Sequence, residues 1–368
     1  MSRPPRVTLH ANAHPRNRRK QLAARKPEVV VITGATAGVG RAVVREFAKC
    51  QASIGLIARG EDRLHAAKEE VEQQGGAALA LSVDLAHSDQ IEHAAEQIER
   101  ELGPIDIWIN NAMTTVFAPI SEIHPDEFRR ATEVTYLGCV YGTMAALKRM
   151  LPRDRGVLVQ VGSALAYRSI PLQAPYCGAK HAIVGFTDSL RCELIYMKSN
   201  VHVTVVHLPA MNTPQFSWCR TRLPKHPQPV PPIFEPEVAA NAIYWAAHHR
   251  RREIFVGGST VEAIYGQHIA PAFADWYLAR NGYDAQQTSE PVPPNRPNNL
   301  FEPVPGLYAA HGIFTDRAKN FSLQTWTDLH RTPLAVAAAG LIGAGAWFLK
   351  KNFFRENISQ TAARSRAR

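Results

Sequence analysis

Short apolar segments alternate with amphipathic segments through the middle of the chain. The first apolar segment is Val29–Thr33, and a helical pattern follows over Arg41–Ala48 with Ala42, Val43 and Phe47 on one face. Further strands are predicted at Ala52–Ala58, Ala78–Val83, Ile105–Ile109 and Glu253–Val256. This repeated β-α order predicts an α/β domain in which a parallel sheet is covered by helices on both faces, followed by a C-terminal extension.

A glycine-rich turn connects the first strand to the first helix. Gly34, Gly38 and Gly40 stand in this turn. Glycines let the backbone approach a pyrophosphate, and the N-terminus of the next helix offers it free N–H groups. A strand, a glycine turn and a helix in this order predict a Rossmann-type doubly wound sheet that binds a dinucleotide. A glycine turn in another kind of α/β protein remains the alternative.

Tyr176 and Lys180 are four residues apart, and Ser163 lies thirteen residues before Tyr176. On a helix this spacing puts the phenol and the ammonium on one face. A free phenol has a pKa of about 10, and a nearby cation favours the phenolate, so we expect Lys180 to lower the pKa of Tyr176. The pair would then exchange protons at neutral pH. Without further motifs, a Tyr and a Lys at this spacing more often belong to an ordinary helix face that has no catalytic role.

Several ordered motifs resemble the non-extended type of the short-chain dehydrogenase/reductase (SDR) family, over about residues 27–262. They are the glycine turn with the spacing G-x-x-x-G-x-G, Asp84, Asn110-Asn111-Ala112, Ser163 with Tyr176 and Lys180, and Pro209–Thr213. The resemblance implies hydride transfer between a nicotinamide and a carbonyl or alcohol carbon. Tyr176 would exchange the proton, Lys180 would hold the nicotinamide ribose, and Ser163 would orient the substrate oxygen.

The resemblance also assigns supporting residues. Thr135 would be a fourth catalytic residue, in the place of the family's Asn that binds a water near the Lys. The implied cofactor-binding residues are Thr33, Gly34, Thr36, Gly38, Val39, Gly40, Asp84, Leu85, Asn110, Ala112, Tyr176, Lys180, Pro209 and Thr213. Three positions depart from the family pattern: Met113 and Ala210 replace glycines, and Thr135 is a shorter, β-branched substitute.

Arg59 follows the second strand, at the position that faces the adenosine ribose in a dinucleotide fold. An acidic residue there would bond a 2′-hydroxyl, whereas a guanidinium pairs with a 2′-phosphate. We therefore expect Arg59 to bind cofactor and to favour NADP(H), with NAD(H) as the less favoured alternative. A solvated loop arginine beside Glu61 and Asp62 is the structural alternative.

The net charge of +10 belongs to the two ends of the chain. Residues 1–26 carry eight Lys/Arg and no acid, and residues 350–368 carry six Lys/Arg and one Glu. We interpret both as basic, disordered tails and, because no nucleic-acid motif accompanies them, expect no nucleic-acid partner. Five cysteines without a C-x-x-C pair are typical of a reducing compartment. The histidines lack ligand spacing, so no metal is expected.

The second half of the chain departs from the strand–helix alternation. Residues 27–282 are interpreted as the catalytic domain, in which Pro214–Pro236 forms a substrate lid with exposed Phe216 and Trp218. A helix is predicted over Ala263–Leu278. It would form part of the pocket wall, pack in a dimer interface or lie on a bilayer surface. Residues 283–332 are interpreted as a Pro-rich linker and extension, because 283–306 is rich in Pro and Asn.

Residues 333–349 are expected to form a hydrophobic transmembrane helix, with a weak in-plane membrane anchor and a buried C-terminal helix as the alternatives. Leu334–Leu349 carries no charge, and Lys350 and Lys351 follow it. A helix of this length spans about 24 Å, less than the roughly 30 Å of a hydrocarbon core. We expect membrane lipid as a partner and the catalytic domain in the cytoplasm, the alternative being a soluble cytoplasmic protein. No apolar stretch precedes residue 27, so no secretory signal is expected, and an organelle presequence is the minor alternative.

The expected function is NADP(H)-dependent interconversion of a carbonyl and a secondary alcohol on a small lipophilic substrate. A membrane-tethered nucleotide-binding scaffold without turnover is the alternative from another class. An extended-type sugar epimerase or dehydratase is disfavoured by the glycine spacing. The family is often dimeric or tetrameric, which makes a homo-oligomer an expectation of the resemblance.

Overall fold

A seven-stranded parallel sheet forms the centre of the protein, as described by a computed structural model of residues 27–306 and 308–332. The strands are β1 (Val29–Thr33), β2 (Ser53–Ala58), β3 (Ala77–Ser82), β4 (Ile107–Asn110), β5 (Val157–Ser163), β6 (His202–Leu208) and β7 (Glu253–Phe255). Their spatial order is 3-2-1-4-5-6-7, and all six neighbouring pairs are parallel. The predicted Rossmann-type doubly wound sheet is confirmed.

Helices cover both faces of the sheet, because alternate residues of each strand bury on opposite sides. In β1, Val30 and Ile32 join one apolar cluster, whereas Val29 and Val31 join the other. The helices are α1 (Gly38–Ala48), α2 (Glu61–Gln73), α3 (Ser88–Leu102), α4 (Pro125–Thr132), α5 (Gly138–Met150), α6 (Ala174–Tyr196), α7 (Pro236–His248), α8 (Gly258–Ile269), α9 (Pro271–Asn281) and α10 (Leu323–Leu329). A π-helical turn, Glu133–Leu137, joins α4 to α5.

Short strands outside the central sheet tie the second half of the chain to the first. Val116–Phe117 pairs with Arg220–Thr221 in parallel, and Lys225–Pro227 pairs with Gln287–Pro291 in the antiparallel sense. A third group consists of Ala210–Met211, Ile233–Phe234 and Ala318–Lys319. A one-turn helix, Gln215–Trp218, precedes Arg220. Its Phe216 and Trp218 are buried, so the expectation of exposed lid aromatics is wrong.

The single helix predicted over Ala263–Leu278 is two helices. α8 ends at Ile269 and α9 begins at Pro271, because proline lacks an N–H and moves the residue before it out of the helical region. Ala270 accordingly has φ −142° and ψ 62°. On α9 no residue is buried, and Phe273, Trp276 and Tyr277 are exposed.

The segment expected to be a linker packs against the catalytic body. Leu300 is fully buried against Val116, Ala118 and Ile123, although Pro and Asn residues surround it in the sequence. Gln286 is also fully buried and donates hydrogen bonds to the carbonyls of Pro171 and Gly282. Isolated apolar residues between prolines show no helix or strand period, which is why the sequence does not indicate this packing.

No helix within residues 27–332 is both long enough and apolar enough to cross a bilayer. The hydrophobic segment 333–349 and the two basic tails, 1–26 and 350–368, lie outside the described residues.

Leu300→Ala tests whether the Pro/Asn-rich segment is part of the folded body. Removing this buried side chain leaves a cavity beside Val116 and Ala118, so we expect the free energy of unfolding to fall by about 2–4 kcal/mol. Denaturant unfolding measures the change. The matched control is Leu323→Ala, whose side chain is 65% exposed and whose loss should cost less than about 0.5 kcal/mol. Equal, small effects of both substitutions would show that the segment is a linker.

Candidate active site

A cavity of about 460 Å³ opens at the carboxyl ends of the parallel strands. Because these ends meet at one edge, residues far apart in sequence line the same space. Thirteen of the residues predicted for the site line it: Gly34, Thr36, Gly38, Val39, Arg59, Asp84, Leu85, Ala112, Ser163, Tyr176, Lys180, Pro209 and Thr213. The volume lies within the range of small-molecule and cofactor sites.

The glycine turn forms one end of the cavity and begins α1. Gly34 has φ +67° and Gly38 has φ +56°, in the left-handed region that side chains disfavour. A Cβ on Gly40 would lie 2.1 Å from the carbonyl oxygen of Gly34, so only glycine lets the helix approach the strand. The Gly38 N–H donates to the carbonyl of Ala309 at 3.1 Å, which brings the C-terminal extension to this turn.

Ser163, Tyr176 and Lys180 stand at the other end of the cavity. Ser163 is the last residue of β5, and its hydroxyl accepts a hydrogen bond from the Leu165 N–H at 3.1 Å. Tyr176 and Lys180 occupy the first two turns of α6, and the Lys180 Nζ lies 5.5 Å from the centroid of the Tyr176 ring. The ammonium also donates to the Val161 carbonyl at 2.6 Å. The spacing in the sequence therefore brings the phenol and the ammonium together.

The expected lowering of the Tyr176 pKa is not found in the cofactor-free protein. Burial raises the pKa of Tyr176 to about 12, although the Ser163 hydroxyl acts in the opposite direction. Burial likewise lowers the pKa of Lys180 to about 8. Lys180 is 3% exposed, and no carboxylate of residues 27–306 or 308–332 pairs with it. Desolvation therefore dominates the effect of the neighbouring cation.

Four predicted site residues lie behind the cavity wall rather than on it. The Thr33 hydroxyl accepts from the N–H groups of Asn111 and Ala112, which fixes the segment after β4. Asn110 is buried in a polar network, where its amide donates to Thr143 and Gln160. The next residue, Asn111, lines the cavity instead. The others behind the wall are Gly40, in the close contact described above, and Thr135.

The Thr135 hydroxyl is hydrogen-bonded to the backbone of Thr114. It donates to the Thr114 carbonyl at 2.9 Å and accepts from the Thr114 N–H at 3.0 Å. The side chain is 1% exposed and lies in the π-helical turn. Its single O–H is already used, so Thr135 cannot donate to a water near Lys180. The hydrogen bonds indicate that it positions the Thr114 backbone.

The C-terminal extension completes the cavity wall around Arg59. The Arg59 guanidinium donates to the carbonyls of Asn299 at 2.5 Å and Phe301 at 2.6 Å. Arg130 donates to the Leu300 carbonyl at 3.1 Å and forms an ion pair with Asp84 at 2.5 Å. Burial and the charge of Arg130 lower the pKa of Arg59. Arg59, Arg63 and Arg130 stand here against the carboxylates of Asp84 and Glu302, which leaves this end of the cavity positive.

No sequence motif indicates Arg63 or Asn299, which line the cavity, and Trp218, expected as an exposed lid residue, lines it as a buried one. Arg63 and Trp218 are both buried and line the cavity, with the Arg63 Cζ 5.1 Å from the Trp218 ring centroid. Asn299 lines it as well, and its N–H donates to the Trp218 carbonyl at 2.9 Å. Arg63 and Trp218 are 155 residues apart in the sequence, so no local pattern could indicate their contact. Only the basic side chain in the first turn of α2 was a visible signal.

A nicotinamide dinucleotide fits the residues present. The glycine turn and the N-terminus of α1 suit a pyrophosphate, and the basic end suits an adenosine ribose that carries negative charge. Ser163, Tyr176 and Lys180 lie where the nicotinamide end would bind.

One candidate group of metal ligands occurs elsewhere among the described residues. Ligand atoms of Glu235, Glu237 and His311 lie within 4.8 Å of one another. The Glu235 carboxylate already accepts two hydrogen bonds from the Asn212 amide, and none of the three residues lines the cavity. The group therefore has no geometric connection to the chemistry of the cavity.

Residues 28–222 match the protein family described as short chain dehydrogenase, and the chain therefore belongs to this family. The uncharacterized oxidoreductase YxnA of Bacillus subtilis is 29% identical over 333 residues, which cover 90% of this chain and 92% of that protein. The 3-dehydrosphinganine reductase of Danio rerio is 34% identical over 193 residues, 51% of this chain and 58% of that protein.

Solved structures share the fold. A metagenomic short-chain oxidoreductase in complex with NADP is 25% identical, with a TM-score of 0.53 over 62% of this chain and 96% of its own. A short chain dehydrogenase/reductase of Burkholderia phymatum in complex with NAD is 18% identical, with a TM-score of 0.61 over 67% of this chain and 95% of its own. The two neighbours were solved with different forms of the cofactor, and the likeness to the second shows the fold alone.

Lys180→Met should stabilise the cofactor-free protein. The folded pKa of Lys180 is about 8 against 10.5 for the free side chain, so protonation of Lys180 opposes folding below about pH 8. This cost fades as the pH rises to about 10.5. We expect a gain of about 1–2 kcal/mol in unfolding free energy at pH 7, and a smaller gain at pH 10. Denaturant unfolding at both pH values measures it.

The matched control is Lys148→Met, whose side chain is 68% exposed. It should give no gain at either pH. A Lys180→Met protein that is less stable than wild type at pH 7 would contradict the desolvation argument.

Proposed function

Because the chain belongs to the short-chain dehydrogenase family, we propose that it is an NADP(H)-dependent oxidoreductase that interconverts a carbonyl and a secondary alcohol. One observation carries the proposal: the Ser163, Tyr176 and Lys180 side chains line the same cavity as the glycine turn. The cavity thus offers a proton donor and a dinucleotide-binding turn in one space.

The proposed proton transfer uses the Tyr176 phenol. Its raised pKa keeps the phenol protonated at neutral pH, so it is ready to donate to a substrate oxygen that becomes an alcohol. The bound cofactor would supply or accept the hydride. The Ser163 hydroxyl would hold the substrate oxygen, and the Lys180 ammonium would stabilise the phenolate left after donation. In oxidation the same groups would act in reverse.

We propose a lipophilic substrate on the basis of the cavity wall. Leu165, Ile170, Met211, Phe216 and Val230 line the cavity together with the Ser163 end. Aromatic and aliphatic walls bind apolar molecules, and a few polar groups fix their orientation. The relative named 3-dehydrosphinganine reductase acts, by its name, on a lipid base, which supports the same class here.

The preference for NADP(H) over NAD(H) rests on Arg59. Its guanidinium lies at the end of β2, where a dinucleotide fold binds the adenosine ribose. The Asp84 carboxylate acts on Arg59 but is ion-paired with Arg130, so its charge is shared between the two cations. The metagenomic neighbour was solved with NADP, which supports this choice. The Burkholderia phymatum neighbour was solved with NAD, so the affinities of this protein for the two cofactors have to be measured directly.

We also propose attachment to a membrane surface, with the catalytic domain on the cytoplasmic side. The supporting residues are the exposed aromatics of α9, namely Phe273, Trp276 and Tyr277. Tyr277 also lines the cavity, so an apolar substrate would enter beside this helix. Aromatic and cationic side chains prefer the interface of a bilayer, and Arg280 stacks on Trp276 with its Cζ 4.1 Å from the ring centroid.

A nucleotide-binding scaffold without turnover is the second candidate. Thr135 favours it, because the residue in place of the family's Asn has its O–H bonded to the Thr114 carbonyl, and Met113 replaces a glycine of the family pattern. Oxidation of NADPH by the purified protein, followed across panels of steroids, retinoids, fatty aldehydes, long-chain keto-bases and quinones, separates the two. Tight NADPH binding with no turnover of any class would establish the scaffold.

Tyr176→Phe should remove most turnover and leave cofactor affinity unchanged. The substitution deletes only the hydroxyl that donates the proton, and general acid catalysis contributes about 10²–10⁴ in rate. We therefore expect kcat to fall by that factor, while the Kd for NADPH changes by less than about twofold, since the Tyr176 ring and the Lys180 ammonium remain in place. Steady-state kinetics and NADPH fluorescence titration measure the two quantities.

Tyr196→Phe is the matched control, because Tyr196 lies at the exposed end of the same helix with 87% of its surface accessible. It should behave as wild type in both measurements. Turnover of Tyr176→Phe within twofold of wild type would end the assignment of the proton donor.

A further inference from the structure

Gln173 is a buried amide at the substrate end of the cavity, which it lines together with Ser163 and Tyr176. It is the N-cap residue of α6, three residues before Tyr176, but its side chain makes no capping bond. Only 7% of the residue is exposed. Its Nε2 donates to the Gln286 Oε1 at 2.7 Å. Because an amide has two N–H groups and an oxygen to satisfy, this bond leaves most of its hydrogen-bonding capacity for another group.

Gln286 fixes the orientation of the Gln173 amide. The Gln286 Nε2 donates to the carbonyls of Pro171 at 2.9 Å and Gly282 at 2.7 Å, which uses both of its N–H groups. The Gln286 Oε1 must then be the acceptor, so Gln173 has to present an N–H to it. Gln286 belongs to the C-terminal extension and is fully buried. The fold therefore assigns the two ends of the Gln173 amide and leaves its Oε1 for a different donor.

The Gln173 Oε1 is an acceptor that faces the cavity. It accepts no hydrogen bond from the residues that the structure describes. Sealed side-chain atoms without a partner in this part of the chain include the Gln287 Oε1 but not the Gln173 Oε1, so the latter remains accessible. Since nearly all of Gln173 is buried and the residue lines the cavity, the accessible oxygen opens into that space. A ligand that carries a donor would satisfy this oxygen.

The charges around the cavity select an uncharged donor. Four charged side chains line the cavity: Arg59, Arg63, Asp84 and Lys180. Asp84, the one carboxylate among these lining residues, lies at the Arg59 end. A substrate ammonium at Gln173 would thus meet the Lys180 cation without a counter-ion, which is costly in a buried site. A hydroxyl donates to the Gln173 oxygen without that cost.

We propose that Gln173 determines substrate specificity, and that the substrate is an apolar hydroxy ketone whose hydroxyl lies one or two carbons from the reacting carbonyl. The inference rests on the proposed oxidoreductase function. Tyr176 follows Gln173 by about one helical turn, a spacing that puts Cβ atoms roughly 5–6 Å apart. A carbonyl oxygen held by the Ser163 and Tyr176 hydroxyls therefore brings a neighbouring hydroxyl to the Gln173 oxygen.

The reaction converts the ketone to a diol. The reduced nicotinamide gives a hydride to the carbonyl carbon, and the Tyr176 phenol gives a proton to the carbonyl oxygen. The hydroxyl bound by Gln173 keeps its bonds throughout, so it contributes recognition and orientation only. The apolar lining residues of the substrate end, Leu165 and Ile170 among them, contact the rest of the molecule.

The test compares kcat/KM of the full chain with NADPH for 1-hydroxy-2-decanone, 4-hydroxy-2-decanone and 2-decanone, which differ only in the hydroxyl. Wild type should prefer one of the hydroxy ketones over 2-decanone by about tenfold or more, because the plain ketone leaves the Gln173 oxygen unpaired. In Gln173→Met, which keeps the length of the side chain and removes the acceptor, this preference should fall about tenfold. Gln173→Asn keeps a shorter amide, so its preference should lie between the two.

A matched control and a binding measurement complete the design. Gln73→Met changes an exposed glutamine at the end of α2 and should keep the wild-type preference. If Gln173→Met does not fold, Gln173→Asn decides, because a preference equal to that of wild type contradicts a contact with the amide oxygen. Calorimetric titration of the NADP-bound protein with 1,2-decanediol, 2,4-decanediol and 2-decanol measures the same preference without turnover.

The outcomes separate this inference from the proposed function. Turnover of 2-decanone by wild type at least equal to that of both hydroxy ketones overturns the hydroxy ketone and keeps the oxidoreductase. A wild-type preference for 1-amino-2-decanone over the hydroxy ketones overturns the uncharged donor. A preference that Gln173→Met retains overturns the role of Gln173. Absence of all turnover ends the oxidoreductase proposal, and a diol preference that depends on Gln173 then still supports the hydroxyl subsite, whereas no diol preference overturns both.

Discussion

Burial of the central sheet on both faces is the constraint on which the rest of the structure depends. Alternate residues of β1 enter two different apolar clusters, so neither face can be left to water. Helices must cover both faces, and each crossover returns the chain to the same edge. The carboxyl ends of the strands therefore collect at one edge, where Gly34, Arg59 and Ser163 line one cavity although 129 residues separate the first from the last.

The cavity holds charge that the fold does not neutralise. Lys180 has one carbonyl as its hydrogen-bond partner, and Arg63 has a tryptophan face instead of an anion. Each cation costs folding free energy, because desolvation is not offset by an ion pair. The two ends of the cavity therefore share one property, a buried cation without a carboxylate partner among the residues that the structure describes.

The sequence predicts what local patterns determine and misses what long-range contacts determine. Apolar runs and the glycine turn specify the strands, and the spacing of Tyr176 and Lys180 places both side chains on one helix face. Asn110, the last residue of β4, lies in a buried polar network, and the next residue, Asn111, lines the cavity, because a strand turns successive side chains to opposite sides. The pair Asn110-Asn111 in the sequence does not indicate which of the two lines it. Burial raises the pKa of Tyr176 and outweighs the effect of the neighbouring cation. The spacing of the two residues in the sequence does not indicate how deeply the phenol is buried.

The C-terminal extension connects the two halves of the cavity. The short helix Gln215–Trp218 carries Phe216 on the apolar wall and Trp218 against Arg63, so one turn of helix contacts both the substrate side and the ribose side. Asn299 holds that turn through the Trp218 carbonyl and also accepts from Arg59. This short helix and Asn299 therefore link the two sides of the cavity through buried contacts that the parallel sheet does not make.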